Sequence, residues 1–170
     1  MGNGVHIERY SRTPEMLTRA DALRQKIGLP TDAPVLGFVG RLVQDKGVVE
    51  LLAAFRRLQP EFAGLKLLLV GPYEEYDGLT KSLRAEIEHD PHIIHLGFQD
   101  DPAPAYSLMT VVALPTYREG FPNVPMEAAA MELPVVATRV TGCLDAVCHG
   151  QTGMLVPVRD AAALAEALRV

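Results

Sequence analysis

The sequence predicts a doubly wound α/β domain, in which a parallel sheet of about six strands is covered by helices on both faces. Two observations lead to this fold class. Short, continuously apolar segments alternate with segments of helical periodicity along almost the whole chain. With 170 residues and 48% hydrophobic content, the chain is also long enough to bury one well-packed core.

The first element is a helix that begins after Thr13, with Pro14 at its first position, and runs to Ile27. Residues 1–13 are predicted to be the end of a connecting segment, so the folded domain spans 14–170. The predicted strands cover 35–39, 65–70, 93–96, 111–114, 134–138 and 154–157. The predicted helices between and after them cover 47–58, 79–89, 103–109, 123–131, 143–147 and 161 onward.

Charge and composition exclude several classes of protein. The 16 basic and 21 acidic residues give a formal charge of −5, and no basic stripe is present, so nucleic acid is not expected as a partner. The chain has no apolar run of the ~20 residues that span a bilayer and no secretion signal at its start, which predicts a cytoplasmic location.

The spacing of Cys143 and Cys148 fits neither a redox pair nor a zinc cluster, so both are predicted to be free, buried thiols. No metal site and no cofactor are expected.

Ligands of doubly wound domains bind beyond the carboxyl ends of the strands, so the residues that follow each strand matter most. Gly40, Arg41 and Lys46 follow the first strand in the segment G-R-L-V-Q-D-K-G. Two cations near the start of a helix suit a diphosphate, since free backbone N–H groups there also favour anions. Arg41 and Lys46 could equally be solvated loop residues with Asp45 as partner.

The third strand runs out into the segment L-G-F, residues Leu96, Gly97 and Phe98. A glycine at this place lets the backbone approach a planar ligand closely, although it could also form an ordinary turn at the end of a strand. Asp100 and Asp101 precede Pro102, and we interpret them as a helix cap rather than as metal ligands.

The segment R-E-G-F-P-N-V-P-M-E places two carboxylates around an apolar turn after the fourth strand. Glu119 lies in the loop and Glu127 early in the next helix, and both are expected to face the same crevice. A carboxylate is a double acceptor, which suits the vicinal hydroxyls of a sugar. The helix dipole alone could explain Glu127, since it favours a glutamate in the first turns by roughly 0.3–1 kcal/mol, but it does not explain Glu119.

Glycine and proline shape the turn between these two glutamates and leave backbone N–H groups available to donate. The residues of the turn are Gly120, Phe121, Pro122, Asn123, Val124 and Pro125.

Taken together, G-R-L-V-Q-D-K-G at 40–47, L-G-F at 96–98 and R-E-G-F-P-N-V-P-M-E-A-A-A-M-E-L-P-V-V-A-T at 118–138 resemble one family. It is the group 1 family of retaining glycosyltransferases, and the chain resembles the C-terminal, donor-binding domain of their GT-B fold, which is Rossmann-like. The opening N-G-V at 3–5 and the closing T-G-M-L-V-P at 152–157 extend the resemblance to nearly the whole chain.

The resemblance implies a role for each matching residue. Arg41 and Lys46 would hold the diphosphate of a nucleotide-sugar, Glu119 the transferred sugar, and Glu127 the ribose hydroxyls. Backbone groups from Phe121 to Val124 would reach the sugar or the distal phosphate. Leu96, Gly97 and Phe98 would border the base, and Gly40 would lie beside the diphosphate.

The resemblance also implies a longer enzyme with an N-terminal acceptor domain that is absent here. We therefore expect this chain to bind its donor, a UDP-sugar, weakly and to transfer nothing alone. The acceptor would be a saccharide or a lipid-linked saccharide in bacterial surface polysaccharide synthesis. The full-length enzyme would act in the cytoplasm, at the inner membrane face. Glu132 departs from the family pattern, because a glycine usually ends the helix at this position.

Two other functions remain open at this point. The chain could be a stand-alone nucleotide-binding module without catalytic activity. It could also belong to a dinucleotide-dependent oxidoreductase, but neither the G-x-G-x-x-G fingerprint nor a P-loop follows the first strand.

Overall fold

The structure, a computed structural model, describes residues 4–74 and 78–169. Within them, six parallel strands form one sheet with helices on both faces, so the predicted fold class is confirmed. The strands are β1 (Val35–Val39), β2 (Lys66–Val70), β3 (Ile93–His95), β4 (Val111–Leu114), β5 (Val135–Thr138) and β6 (Gly153–Val156). The helices are α1 (Pro14–Lys26), α2 (Val48–Leu58), α3 (Lys81–His89), α4 (Ala103–Tyr106), α5 (Asn123–Ala130), α6 (Thr141–Ala146) and α7 (Ala161–Ala167), with a 3-10 turn at Gln44–Lys46.

Side-chain caps set the starts of several helices. Thr13 accepts a hydrogen bond from the backbone N–H of Met16 at the start of α1, as the sequence predicts. The N-cap residue of α4 is Pro102, so neither Asp100 nor Asp101 occupies the cap position, although Asp101 accepts a hydrogen bond from the N–H of Ala103 at 3.3 Å. The helix α4 ends three residues before its predicted end, and the helix α6 begins two residues before its predicted start.

The strand order is β3-β2-β1-β4-β5-β6. The strand β1 pairs with β2 on one side and with β4 on the other, and the direction of winding reverses between β1 and β4. The loops that follow these two strands therefore lead to helices on opposite faces and leave a crevice between them. This switch point positions the candidate site.

Each face of the sheet has its own core. Along β2, Leu68 and Val70 pack with residues of α1, α4 and α5, whereas Leu67 and Leu69 pack with residues of α2, α3 and α7. The strands are covered on both faces, which explains why they appear in the sequence as continuous apolar runs.

Glu132 lies just beyond α5 in a left-handed conformation, with φ of 60°. A glycine would adopt this backbone without strain, whereas a residue with a Cβ pays about 1–2 kcal/mol. The position where the family pattern has glycine thus keeps the glycine-like backbone in spite of the glutamate.

The two cysteines differ in burial. Cys143 is buried in α6, as predicted, but Cys148 is exposed, so the prediction of two buried thiols is wrong for Cys148. Cys148 lies in a turn after α6, where its backbone N–H donates to Thr152 Oγ1 at 3.0 Å. The turn leaves the side chain exposed.

Some sequence predictions lie partly outside the described residues. Asn3, the first residue of the N-G-V match, and residues 1–2 of the predicted connecting segment are among them. The division into a segment 1–13 and a domain 14–170 stays a prediction. Among the described helices, none is long and apolar enough to cross a lipid bilayer.

Candidate functional site at the switch point

An ion pair links the two loops at the switch point. Lys46 ends the 3-10 turn after β1, and its ammonium donates a hydrogen bond to the Glu119 carboxylate in the loop after β4. The Lys46 and Glu119 side chains are only 18% and 17% exposed. Removal of either partner from a largely covered pair would leave the charge of the other without compensation.

Backbone contacts hold the same two loops together. The carbonyl of Asp45 accepts from the Tyr117 N–H at 2.8 Å and from Thr116 Oγ1 at 3.3 Å. Gly47 has φ of 72°, and a Cβ there would lie 2.0 Å from the carbonyl oxygen of Pro115. Lys46 therefore reaches Glu119 because a glycine beside it lets the two backbones touch.

A cavity of about 320 Å³ opens at this place. The residues that line it are Val39, Gly40, Arg41, Lys46, Leu114, Glu119, Phe121, Pro122, Asn123 and Val124. The guanidinium of Arg41 lies 3.4 Å from the Glu74 carboxylate, and 56% of the Arg41 side chain is exposed. An exposed pair of this kind is weak, so Arg41 can exchange Glu74 for another anion at little cost.

The loop that carries Arg41 is seated on the end of β2. The N–H of Gly40 donates to the Val70 carbonyl at 2.9 Å. A Cβ on Gly71 would lie 1.9 Å from the Gly40 carbonyl oxygen, so a side chain at 71 would push this loop away. Close packing of two glycines thus sets the position of Arg41.

The second glutamate has a different environment. Glu127 Oε1 accepts from the hydroxyl of Tyr10 at 3.0 Å, and Oε2 accepts from the hydroxyl of Tyr106 at 2.7 Å. The two tyrosine rings meet edge to face, with centroids 5.8 Å apart. Burial raises the pKa of both phenols, and the nearby Glu127 charge raises it further, so both hydroxyls stay protonated and able to donate.

The segment after β3 forms a third part of the rim. Gly97 adopts φ of 67°, and its carbonyl accepts from the Gly71 N–H at 2.8 Å, which joins the ends of β2 and β3. Leu96 packs partly against the core, whereas Phe98 is 69% exposed. An exposed aromatic ring of this kind offers an apolar surface at the strand ends.

The structure thus brings most of the predicted site residues together, but not all. Among the described residues, the cavity lining includes Glu119 and omits Glu127, and a crevice shared by the two glutamates stays a prediction. The carboxylate of Glu127 is directed instead toward Tyr10 and Tyr106. Leu96, Gly97 and Phe98 also lie outside that lining.

The helix α5 begins at Asn123, with Pro122 as its N-cap residue and no side-chain capping hydrogen bond. The first N–H groups of a helix have no partner within the helix, so this end favours an anion. No group of three or more His, Cys, Asp or Glu suited to a metal ion occurs within 4–74 and 78–169.

A larger cavity, of about 460 Å³, lies at the opposite edge of the sheet and is mostly apolar. Leu133, Pro134 and Gly153 line it, at the amino ends of β5 and β6. Because ligands of doubly wound sheets bind at the carboxyl ends of the strands, this cavity is not the candidate site.

Tyr10 and Tyr106 are the functional candidates that the sequence reasoning missed. Both lie in the buried core, with exposed fractions of 5% and 0%. The sequence around these residues does not distinguish a tyrosine that only packs in the core from one whose hydroxyl donates a hydrogen bond to a carboxylate. Only the contact with Glu127 reveals the difference.

Fold and site together define a Rossmann-like domain that presents cations, carboxylates and a helix start at its switch point. The model of the family "Glycosyl transferases group 1" matches residues 33–170, and the chain belongs to this family. The resemblance stated from the motifs is therefore confirmed.

Curated relatives include bacterial polysaccharide enzymes. The chain is 39% identical over 164 residues to the capsular polysaccharide biosynthesis glycosyltransferase CapM of Staphylococcus aureus, covering 96% of this chain and 42% of CapM. It is 32% identical over 166 residues to the putative teichuronic acid biosynthesis glycosyltransferase TuaC of Bacillus subtilis, covering 97% of this chain and 39% of TuaC. The chain spans about two fifths of the length of these relatives.

Solved structures show the same architecture. Anabaena Alr3699/HepE in complex with UDP-glucose superposes with a TM-score of 0.85 at 28% identity, covering 98% of this chain and 45% of that one. The C-terminal domain of the group 1 protein LpcC from Francisella tularensis, at 22% identity and a TM-score of 0.79, shares the fold. It covers 98% of this chain and 86% of that one. The fold is thus that of one half of a GT-B glycosyltransferase.

Proposed function

We propose that this chain is the donor-binding domain of a retaining glycosyltransferase whose donor is a UDP-sugar. The acceptor is a saccharide or a lipid-linked saccharide in bacterial surface polysaccharide synthesis, such as capsule, O-antigen or lipopolysaccharide. The observation that carries the proposal is the Lys46–Glu119 pair in a cavity at the switch point, beside Arg41 and the start of α5. The names of CapM and TuaC and the UDP-glucose complex of HepE support it.

Lys46 and Arg41 bind the diphosphate in this proposal. A diphosphate carries more charge than one carboxylate, so it can draw the ammonium of Lys46 away from Glu119. Glu119, once released, accepts hydrogen bonds from hydroxyls of the sugar. The ion pair is thus the resting state of two groups that separate to hold adjoining parts of one ligand.

The remaining contacts follow from the positions of their residues. Glu127 accepts from the ribose hydroxyls, and the backbone of Gly40 lies beside the diphosphate. Backbone groups from Phe121 to Val124, with Gly120 and Pro122 shaping the turn, reach the distal phosphate or the sugar. The segment Leu96, Gly97 and Phe98 borders the base, where the exposed ring of Phe98 offers a contact surface.

In the transfer step, the bond between the anomeric carbon and the diphosphate oxygen breaks, and that oxygen takes the electron pair. An acceptor hydroxyl forms the new bond to the anomeric carbon, and its proton passes to the departing diphosphate. Cationic side chains and helix N–H groups stabilise the resulting charge on the UDP leaving group. Positive charge comes from the protein, so the proposal includes neither a metal ion nor a cofactor. The acceptor and its binding groups belong to an N-terminal domain of a longer enzyme, which acts in the cytoplasm or at the inner membrane face.

The first experiment is a calorimetric titration of the chain with UDP, GDP and ADP, repeated on Glu127→Ala. We expect weak, saturable binding of UDP, reduced in the variant by about 1.5–3 kcal/mol, the range for hydrogen bonds to a charged group. Saturable binding of GDP or ADP in preference to UDP would show that the donor carries that nucleotide instead of UDP. The absence of any nucleotide binding would contradict the proposal.

A second assay tests the absence of transfer by the isolated chain. UDP-glucose is incubated with the chain and simple saccharide acceptors, and the release of UDP above the rate of hydrolysis is measured. We expect none. Measurable transfer would show that the acceptor site lies within these residues.

A further inference from the structure

We propose that Tyr10 and Tyr106 are positioning residues that hold the Glu127 carboxylate in the orientation that recognises a ribose. The inference rests on the proposed function, because it takes Glu127 as the group that binds the ribose hydroxyls. It goes further in making ribose recognition depend on two phenols, one of them in the segment that precedes the first helix.

The two hydroxyls fix the plane of the carboxylate. Tyr10 donates to Oε1 and Tyr106 to Oε2, at 3.0 and 2.7 Å, so each carboxylate oxygen has its own donor. Rotation of the carboxylate would break both bonds together. An ionised carboxylate has about four acceptor positions, so two remain for a pair of ribose hydroxyls.

Burial makes these contacts specific. The Tyr10 and Tyr106 side chains are 5% and 0% exposed, so their hydroxyls cannot readily exchange Glu127 for water. A buried hydroxyl without a partner costs about 1–3 kcal/mol. Phenylalanine would fill the same core without that requirement, and among the described residues the Glu127 carboxylate is the partner of both hydroxyls.

Tyr10 is itself anchored from the segment 4–13. The neighbouring Arg9 donates to the Asp101 carboxylate at 3.0 Å, and its guanidinium lies 5.8 Å from the centre of the Tyr10 ring. Arg19 of α1 also pairs with Asp101. These ion pairs fasten the segment to α1 and to the start of α4, so a shift of the segment would reach Glu127 through Tyr10.

The test compares two ligands that differ only at the ribose: UDP and 2′,3′-dideoxy-UDP. The ratio of their dissociation constants measures ribose recognition and is insensitive to losses of folded protein that affect both ligands equally. It is measured for the wild-type chain, Tyr10→Phe, Tyr106→Phe and Glu127→Gln. Tyr117→Phe is the matched control, since its hydroxyl donates to Glu50 at 2.8 Å and not to Glu127.

We expect the wild-type chain to prefer UDP and Glu127→Gln to lose most of that preference. Tyr10→Phe and Tyr106→Phe should each lower the preference about fivefold, on the scale of one net hydrogen bond, while the affinity for the dideoxy ligand stays the same. Tyr117→Phe should keep the wild-type ratio. In the Tyr10→Phe/Glu127→Gln double variant, the tyrosine change should cause no further loss, because it acts through the glutamate.

Two results would overturn the inference in distinguishable ways. If both tyrosine variants kept the wild-type ratio while Glu127→Gln lost it, the phenols would only pack, and the proposed function would stand. If the wild-type chain bound both ligands equally, Glu127 would not recognise ribose, and its proposed role would fall together with the inference. Either tyrosine variant alone suffices if the other does not fold.

Discussion

Lys46 and Glu119 form an ion pair across the crevice between the loops that follow β1 and β4, although they are 73 residues apart in the chain. Both side chains are largely buried, and both line the same cavity. A ligand with more negative charge than the Glu119 carboxylate can separate the two side chains by binding Lys46. Substitution of either residue therefore tests its role in the site.

Lys46→Ala should weaken the binding of UDP by about 1.5–3 kcal/mol, because a charge-assisted contact to phosphate is lost. Uridine lacks the diphosphate, so any affinity for it should not change. Calorimetry with both ligands checks this prediction. The control is Lys66→Ala, since Lys66 donates to the Pro91 carbonyl at 3.0 Å at the opposite edge of the sheet. An equal loss in both lysine variants would contradict a role for Lys46 in the clamp.

Glu119→Ala should act in the opposite way on the two parts of the donor. Removal of the carboxylate frees Lys46, so the affinity for UDP should be retained or should rise by a few-fold. The affinity for UDP-glucose should fall relative to UDP, because the sugar loses an acceptor worth about 1–3 kcal/mol. Competition calorimetry with the two ligands measures the difference. If UDP and UDP-glucose lost affinity equally, Glu119 would have a purely structural role.

Gly71→Ala should destabilise the fold by about 2–4 kcal/mol, because the new Cβ meets backbone and the conformation suits glycine. That Cβ would lie 1.9 Å from the Gly40 carbonyl oxygen, with φ of 143° at residue 71. Gly64→Ala is the control, since its φ is 74° and no heavy atom lies within 4 Å of the added Cβ. Urea denaturation should show a smaller loss for the control, of about 1–2 kcal/mol from backbone strain alone.

The two thiols should differ strongly in their reaction with iodoacetamide at pH 8. Burial raises the pKa of the Cys143 thiol to about 12, and the nearby Glu119 carboxylate adds to the rise. The thiolate is the reactive form, so Cys143 should stay unmodified in the folded chain while the exposed Cys148 reacts. Mass spectrometry of the peptides checks the assignment, and in denaturant both should react.

The raised pKa of Cys143 also fixes the sign of a stability change with pH. The unfolded thiol ionises near pH 8.5, whereas the folded thiol does so only near pH 12. The stabilisation is therefore complete below about pH 8.5 and is lost as the pH rises toward 12. Cys143→Ala should remove this part of the alkaline loss, and an unchanged slope of unfolding free energy against pH between 9 and 11 would contradict the assignment.

Much of the fold could be predicted from the sequence because it depends on local pattern. The apolar runs of β1 to β6 and the cap at Thr13 are each contained within a few residues. The exposed side chain of Cys148 could not be predicted. Its burial depends on whether another part of the chain covers the turn, and the residues next to it in the sequence do not determine that.

The candidate site divides in the same way. Arg41, Lys46 and Glu119 could be selected from the sequence because they follow predicted strands, and parallel strands bring their carboxyl ends to one edge. The sequence does not say which group each charge contacts. Lys46 pairs with Glu119 rather than with Asp45, its neighbour in the chain, whose Oδ2 lies 3.2 Å from Arg118.

The sequence by itself therefore determined the fold class, the family resemblance and the loops that form the site. Tertiary structure alone decided the environment of Glu127, because Tyr10 lies 117 residues away along the chain and meets it only through packing. The physical reason is that periodicity and capping act over a few residues, whereas a hydrogen bond between distant side chains requires the whole sheet and its helices to be in place.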